Sequence, residues 1–91
     1  MSGNLNEIEL HLNNAQEALA LFGNNDKYLK LLEKKLDISI VSRGELIQVS
    51  GADNTIPIIQ DVLIALLQVI RKGITITERD VVYAVDLAAK G

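Results

Sequence analysis

The sequence predicts an α+β fold in which helices cover one face of a three-stranded antiparallel sheet. Residues 7–12 read EIELHL, and this alternation of polar and apolar side chains is typical of a strand with one solvent-exposed face. Residues 38–42 and 45–51 are two β-branched runs on either side of Arg43 and Gly44, which predicts a hairpin. The other apolar segments have helical spacing, so the predicted order is β-α-α-β-β-α with an additional C-terminal helix.

The first predicted helix follows the first strand directly. Asn14 can cap its N-terminus, and Glu17 stands three residues later, at the spacing of a capping box. The predicted helix runs through Ala15, Ala18, Leu19 and Phe22. Gly23 suits the left-handed conformation that commonly ends a helix, so we expect the helix to end at Phe22.

The second predicted helix begins next to Asp26, whose carboxylate is expected to cap it. Three leucines recur on one face of this helix: Leu29, Leu32 and Leu36. Three lysines lie away from that face: Lys27, Lys30 and Lys34. We therefore expect the leucines to pack on the sheet and the lysines to be exposed.

Two more helices are predicted in the second half of the chain. A long helix is expected between Thr55, a cap candidate, and Gly73, which suits a helix end. Its main apolar stripe consists of Ile59, Val62, Leu63, Leu66, Leu67 and Ile70. After a short extended link, Thr77 and Asp80 form a start signal for a last helix over residues 78–90.

The composition excludes several kinds of site. The chain has 91 residues, 48% of them hydrophobic and 23% charged, and is expected to form one globular domain over residues 1–91. It has no cysteine, so disulfides, thiolate metal sites and cysteine nucleophiles are impossible. His11 is the single histidine, which excludes a histidine-based zinc site within one chain, and we expect no metal. The carboxylates form no recognisable catalytic pair, so we expect this domain not to be an enzyme.

Two segments bear on location. The N-terminal residues MSGNLNEIEL lack the basic start and the apolar stretch of a signal peptide. Residues 56–70, IPIIQDVLIALLQVI, contain Gln60, Asp61 and Gln68 and are too few to span a bilayer. We therefore expect no membrane partner and a cytoplasmic location.

The charge of the chain limits nucleic-acid binding to a local site. The net charge is −3, whereas proteins that bind duplex DNA usually carry a positive excess because phosphate contacts supply most of their affinity. The candidate phosphate contacts are Lys27, Lys30, Lys34 and Arg43. The simpler interpretation of the lysines is a solvated helix face.

The element order and the loop between the first two helices resemble a type I KH domain, which clamps four nucleotides of a single strand. The KH loop is written G-x-x-G and is followed by x-x-I-K-x-I. Here residues 23–26 read GNND and residues 27–32 read KYLKLL, so Leu29, Lys30 and Leu32 match while Asp26 replaces the second glycine. The resemblance implies nucleic-acid contacts from Gly23, Asn24, Asn25, Lys27, Lys30, Lys34 and Arg43, with Ile38 and Ile40 as the apolar floor of a groove. Ile38 and Ile40 are also consistent with plain sheet core.

A resemblance to the N-terminal domain of PhoH-like proteins, which are named for phosphate starvation, covers nearly the whole chain. It is carried by residues 21–51, by the long helix and by residues 70–91, with the motifs VSRGE, RKG-x-x-I-x-x-x-D-V and A-x-x-L-A-x-x-G. The second domain of these proteins is a P-loop ATPase, which implies ATP and magnesium in that domain. This chain has no G-x-x-x-x-G-K-[ST], so we expect the ATPase domain to lie outside it and expect no cofactor in residues 1–91.

Two functions of different classes follow as hypotheses. The first is a weak single-stranded RNA-binding module that positions RNA for the attached ATPase domain. The second is a structural module that docks on its own ATPase domain or forms a homo-oligomer, with a KH groove that binds no nucleic acid. Asp26 favours the second, because a carboxylate near a phosphate repels it.

Overall fold

The sheet consists of the strands Leu5–His11 (β1), Ser39–Arg43 (β2) and Leu46–Ala52 (β3). In the computed structural model, which describes residues 5–90, β1 and β2 both pair antiparallel with β3, so the sheet order is β1-β3-β2. Gly44 has a φ of 60°, the positive value that a two-residue hairpin turn favours at its first central position. The predicted sheet and hairpin are confirmed, although β1 begins and ends earlier than the predicted residues 7–12.

The helices lie on one face of this sheet. They are Ala15–Phe22 (α1), Lys27–Leu36 (α2), Ile56–Arg71 (α3) and Glu78–Lys90 (α4), with a single 3₁₀ turn at Asn24–Asp26. Helix α3 packs against β1 and β3, and α2 packs against β2. Helix α4 packs on α3 and α2, so it extends the helical layer. The predicted α+β class and element order are confirmed, and the architecture is consistent with the KH-like fold.

The core lies between the sheet and the helices and includes α4. The most deeply buried side chains are Leu21, Phe22, Leu32, Ile47, Val49, Ile59, Val62, Leu63 and Val81. Val81 belongs to α4, so the last helix shares the core that the sheet forms. In α1, Leu21 and Phe22 are buried, whereas Leu19 is 60% exposed. Six of the eight residues of α1 are apolar, so the sequence does not define which of them face the core.

Two of the predicted helix starts have the expected hydrogen bonds. At α4, the backbone N–H of Thr77 donates to Asp80 Oδ2 at 2.9 Å, and the N–H of Asp80 donates to Thr77 Oγ1 at 3.4 Å. This reciprocal pair is a capping box. At α1, the N–H of Glu17 donates to Asn14 Oδ1 at 3.0 Å, as predicted. The carboxylate of Glu17, however, accepts from the N–H of Asn13 instead of Asn14, at 2.9 Å.

The same carboxylate joins α1 to the end of α3. Arg71 Nε donates to Glu17 Oε2 at 2.8 Å, and Arg71 Nη2 donates to Glu17 Oε1 at 3.0 Å. The side chain of Asn13 adds a donor at 3.3 Å. The hydrogen bonds from Arg71 and from the Asn13 backbone lower the pKa of the Glu17 carboxyl to about 2, because they stabilise its ionised form. The carboxylate in turn raises the pKa of Arg71.

The sheet face opposite the helices is polar. Residues Ile8 and Leu10 of β1 pack against the core, so the alternating Glu7 and Glu9 are exposed on the other face. Gln48 Nε2 donates to Glu9 Oε2 at 3.0 Å across the sheet. This face therefore presents carboxylates.

Candidate nucleic-acid interface

The loop between α1 and α2 has three residues with positive φ. Gly23 has φ 78° and ψ 176°, a combination that essentially only glycine adopts. A Cβ atom at Gly23 would lie 2.9 Å from Tyr28 Cδ2. The first loop glycine is therefore required by the backbone and by the packing of the Tyr28 ring, whether or not it contacts a ligand.

Asn25 and Asp26 follow in the left-handed region, with φ values of 56° and 58°. Asparagine and aspartate are the non-glycine residues that tolerate this conformation best. The prediction that Asp26 caps α2 was wrong, because its side chain makes no capping hydrogen bond with any residue between 5 and 90. An N-cap residue normally has an extended backbone, whereas the left-handed backbone of Asp26 is not that of a typical N-cap. Its exposed carboxylate is left at the loop surface.

The three predicted lysines of α2 meet in one cleft. Lys27, Lys30 and Lys34 are exposed and line a cleft of about 240 Å³. Tyr28, Leu31 and Glu78 complete its walls. Lysines at these positions are neighbours on one helix face, so three positively charged side chains line the same cleft. The carboxylate of Glu78, from the first turn of α4, stands among them.

A second cleft of about 330 Å³ adjoins the loop and shares Lys27 and Tyr28 with the first. Its walls are Leu19, Ala20, Gly23, Asn24, Lys27, Tyr28, Thr75 and Ile76. The Tyr28 hydroxyl donates to the Ile76 carbonyl at 3.4 Å, which joins α2 to the link before α4. Lys27 Nζ lies 5.2 Å from the centroid of the Tyr28 ring, within range of a cation–π contact. The loop and the lysines thus form one continuous surface.

Three predicted contacts lie elsewhere. Ile38 and Ile40 are core residues, 8% and 6% exposed, and Ile38 Cγ2 would lie 2.8 Å from a Cβ atom at Gly51. Arg43 is at the hairpin end of β2 and alternates with the inward-facing Ile40, so it belongs to the sheet face opposite the helices. The structure therefore unites Gly23, Asn24, Lys27, Lys30 and Lys34, while Asn25 is exposed in the same loop.

The outer edge of β2 is partly closed by α2. Glu33, which the sequence assigned no structural role, accepts a hydrogen bond from the backbone N–H of Ile40 at 2.8 Å. Because β2 is an edge strand, this N–H would otherwise be free to pair with another chain or a ligand. Glu33 was not identifiable from sequence, because its spacing from Ile40 fits no helix or strand period.

Other site chemistries find no support in residues 5–90. No group of three or more His, Asp or Glu side chains in this range could hold a metal ion. The aromatic residues are Phe22, Tyr28 and Tyr83, and Tyr83 alone among these described residues is exposed. Within the described part of the chain, no helix is both long and apolar enough to cross a bilayer.

The fold and surface define a small α+β domain with a lysine-lined cleft beside a left-handed loop. No protein-family model matches the chain. Ninety residues, 99% of the chain, align at 50% identity with a PhoH-like protein of Bacillus subtilis (strain 168). The chain spans 28% of the length of that relative. This similarity supports a relationship to PhoH-like proteins.

Proposed function

We propose that this chain is an accessory domain of a PhoH-like protein that binds single-stranded RNA weakly and positions it for an ATP-binding domain. The observation that carries the proposal is the cleft in which Lys27, Lys30 and Lys34 come together. Similarity to the PhoH-like protein of B. subtilis supports the attachment to a larger protein, because the chain spans 28% of its length.

The lysine spacing suits a flexible strand of phosphates. Seven residues of helix separate Lys27 from Lys34, which corresponds to about 10 Å along the axis. Phosphates of a stacked strand recur every 3.4 Å or so, so the three ammonium groups can contact several of them. Lys27 also borders the loop cleft, so a strand can continue from the lysines to Gly23 and Asn24.

Three features make the proposed binding weak and tolerant of sequence. Asp26 and Glu78 place carboxylates beside the path of the phosphates. Each costs about 1 kcal/mol at a separation of 4 Å in water. Tyr28 is 8% exposed, so its ring is not available to stack on a base. The remaining contacts are to phosphate, which carries no sequence information.

The experiment is a titration of the 91-residue chain with a short fluorescent single-stranded RNA at two salt concentrations. Three phosphate contacts predict a slope of log K against log salt of about −2. The double variant Lys30→Glu/Lys34→Glu should bind at least tenfold more weakly and reduce the magnitude of that slope to about 0.7. Lys35→Glu/Lys72→Glu, which makes the same charge change at two exposed lysines outside the lining of the cleft, is the matched control and should retain most of the affinity.

Wild-type affinity in the double variant would contradict the proposal. So would the absence of salt-sensitive NMR shifts in residues 23–34 of the wild-type chain at millimolar RNA.

A second candidate function is structural docking, in which the domain binds its own ATPase domain or another copy. The observation that favours it is an apolar groove between α3 and α4, together with the net charge of −3. Under this hypothesis Lys30→Glu/Lys34→Glu leaves assembly unchanged, whereas substitutions in the groove weaken it.

A further inference from the structure

Helix α4 has an exposed stripe with symmetric spacing. Asp80, Tyr83, Leu87 and Lys90 follow one another at intervals of three, four and three residues, which places them on one face of the helix. Tyr83 is 63% exposed and Leu87 is 52% exposed. The apolar pair at the centre is thus exposed, Lys90 is exposed at one end, and Asp80 at the other end accepts hydrogen bonds only from Thr77 of its own capping box within residues 5–90.

The stripe borders the groove between α3 and α4. This groove has a volume of about 360 Å³. Its walls are Asp61, Ala65, Leu66, Val69, Ile74, Asp80, Tyr83, Ala84, Leu87 and Ala88. Ile74, at its edge, is 54% exposed. Small side chains line the middle of the groove, so it has space for a large side chain from outside.

We propose, as the specific form of the second candidate function on which this inference rests, that a second copy of this chain covers this face, with the two α4 helices antiparallel about a two-fold axis. The order of intervals is the same in both directions, so a reversed copy matches the first. A two-fold axis at the level of Val85 places Tyr83 opposite Leu87 of the second copy. The same axis places Asp80 opposite Lys90 of the second copy, so each end of the contact carries an opposite-charge pair. The ring of Tyr83 enters the groove of the other copy.

The neighbouring charges are compatible with this arrangement. Asp61 and Asp80 are the charged residues among those that line the groove. Arg79 and Asp86, on the flank of α4, are six residues from the two-fold level and one residue from it. In the proposed dimer, Arg79 therefore lies far from Arg79 of the second copy. The two Asp86 side chains, in contrast, lie close to each other. The Asp86 pair opposes association, and the two Asp80–Lys90 pairs favour it.

The contact is expected to be small. Helix α4 has 13 residues and is therefore about 20 Å long. An interface of this size belongs to the class of weak or transient associations. We therefore expect monomer and dimer to coexist at dissociation constants on the order of 10⁻⁴ M.

The inference is independent of RNA binding. Glu78, which borders the lysine cleft, lies about 140° around α4 from Tyr83, given 100° per residue. Pairing through the stripe therefore leaves the lysine cleft of each copy open. Self-association is also measured without RNA, so failure of one proposal is distinguishable from failure of the other.

Sedimentation velocity of the 91-residue chain, from about 10 μM to about 1 mM, tests the proposal. The expected result is a sedimentation coefficient that rises with concentration from monomer towards dimer. Leu87→Gln and Lys90→Glu should each raise the dissociation constant at least tenfold. Lys35→Glu, with the same charge change on α2, is the matched control and should dimerise like the wild type.

A mixing experiment tests the charge pairing directly. Asp80→Lys and Lys90→Glu should each be monomeric alone, whereas their mixture should form a heterodimer, because both end pairs then become attractive. Asp80 also caps α4, so circular dichroism must first establish that Asp80→Lys folds. If it does not, Leu87→Gln and Lys90→Glu still decide the outcome.

Three results would overturn the proposal. The first is a wild-type chain that stays monomeric up to about 1 mM. The second is a Leu87→Gln variant that dimerises like the wild type. The third is a monomer whose Tyr83 and Leu87 NMR signals shift only when a different protein is added.

Discussion

Arg71, in the last turn of α3, holds the carboxylate of Glu17 in the first turn of α1 through two hydrogen bonds of 2.8 and 3.0 Å. The side chain of Glu17 is 10% exposed and that of Arg71 is 43% exposed. Both oxygens of the carboxylate also accept from Asn13, so one side chain connects the strand–helix junction to the far end of the longest helix.

This pair predicts a specific pH dependence of stability. The ordinary pKa of a glutamate side chain is 4.5, and the pKa of Glu17 in the folded protein is lowered to about 2. The unfolded chain therefore takes up the proton first as the pH falls, so the contribution is present above about pH 4.5 and is lost between pH 4.5 and 2. Urea unfolding at several pH values should show that Glu17→Gln loses less stability than the wild type across this window.

The control for this measurement is Glu45→Gln, at an exposed carboxylate of the hairpin turn. It should retain the pH dependence of the wild type. Parallel curves for the wild type and Glu17→Gln would contradict the role of the pair.

Gly23→Ala should destabilise the domain through backbone strain and contact with Tyr28. The glycine-only backbone conformation costs on the order of 1–3 kcal/mol when another residue adopts it. The new methyl group would also lie 2.9 Å from the Tyr28 ring. Chemical denaturation should therefore give a larger loss than Gly44→Ala, where φ is also positive but no described atom lies within 4 Å of the new Cβ. Equal losses would contradict both the glycine-only backbone of Gly23 and the contact with Tyr28 as causes of instability.

Asp26→Asn should leave the fold intact and strengthen RNA binding. Asparagine tolerates the left-handed conformation, and the carboxylate makes no capping bond within residues 5–90, so the free energy of unfolding should change by less than about 0.5 kcal/mol. Removing a charge near a phosphate is worth about 1 kcal/mol, which is about fivefold in affinity.

Fluorescence titration of Asp26→Asn, Asp26→Gly and the control Asp53→Asn measures this effect. Asp53 lies in the exposed turn after β3, so its variant should bind like the wild type. Unchanged affinity in both Asp26 variants would show that the loop does not lie near the phosphates of bound RNA.

Glu33→Ala should expose the outer edge of β2. Loss of the acceptor at 2.8 Å leaves the N–H of Ile40 to solvent, at a cost of about 1 kcal/mol. Amide hydrogen exchange by NMR should show faster exchange at Ile40 in Glu33→Ala, while Glu33→Gln, which keeps an acceptor, should change it less. An unchanged Ile40 rate would mean that the edge is protected in another way.

Local sequence signals were sufficient for most of the secondary structure. Thr77 and Asp80 located the start of α4 because a capping box depends on residues three positions apart. Ile59, Val62 and Leu63 identified the buried face of α3 because a long helix repeats its stripe over several turns. The prediction that Asp26 caps α2 was wrong because aspartate occurs both as a helix cap and as a left-handed turn residue.

The candidate site was predictable only where its residues share one helix. Lys27, Lys30 and Lys34 are neighbours by helical spacing alone. Glu78 enters their cleft only through the packing of α4 on α2, which no spacing in the sequence reveals. The pair of Glu17 and Arg71 was not predictable for the same reason, because the two residues are 54 positions apart. Contacts of this kind depend on tertiary structure.

The carboxylates of Glu7 and Glu9, on the open face of the sheet, have a consequence for encounter with a polyanion. They lie on one side of the domain, whereas the α2 lysines lie on the helical side. Charges of opposite sign therefore lie on opposite sides of the domain and contribute a dipole in addition to its net charge of −3, and Arg43 on the open face reduces this contribution. In the field of a phosphate chain, such a contribution favours an approach with the lysines forward. Under the proposed function, we expect this orientation before any contact with RNA forms.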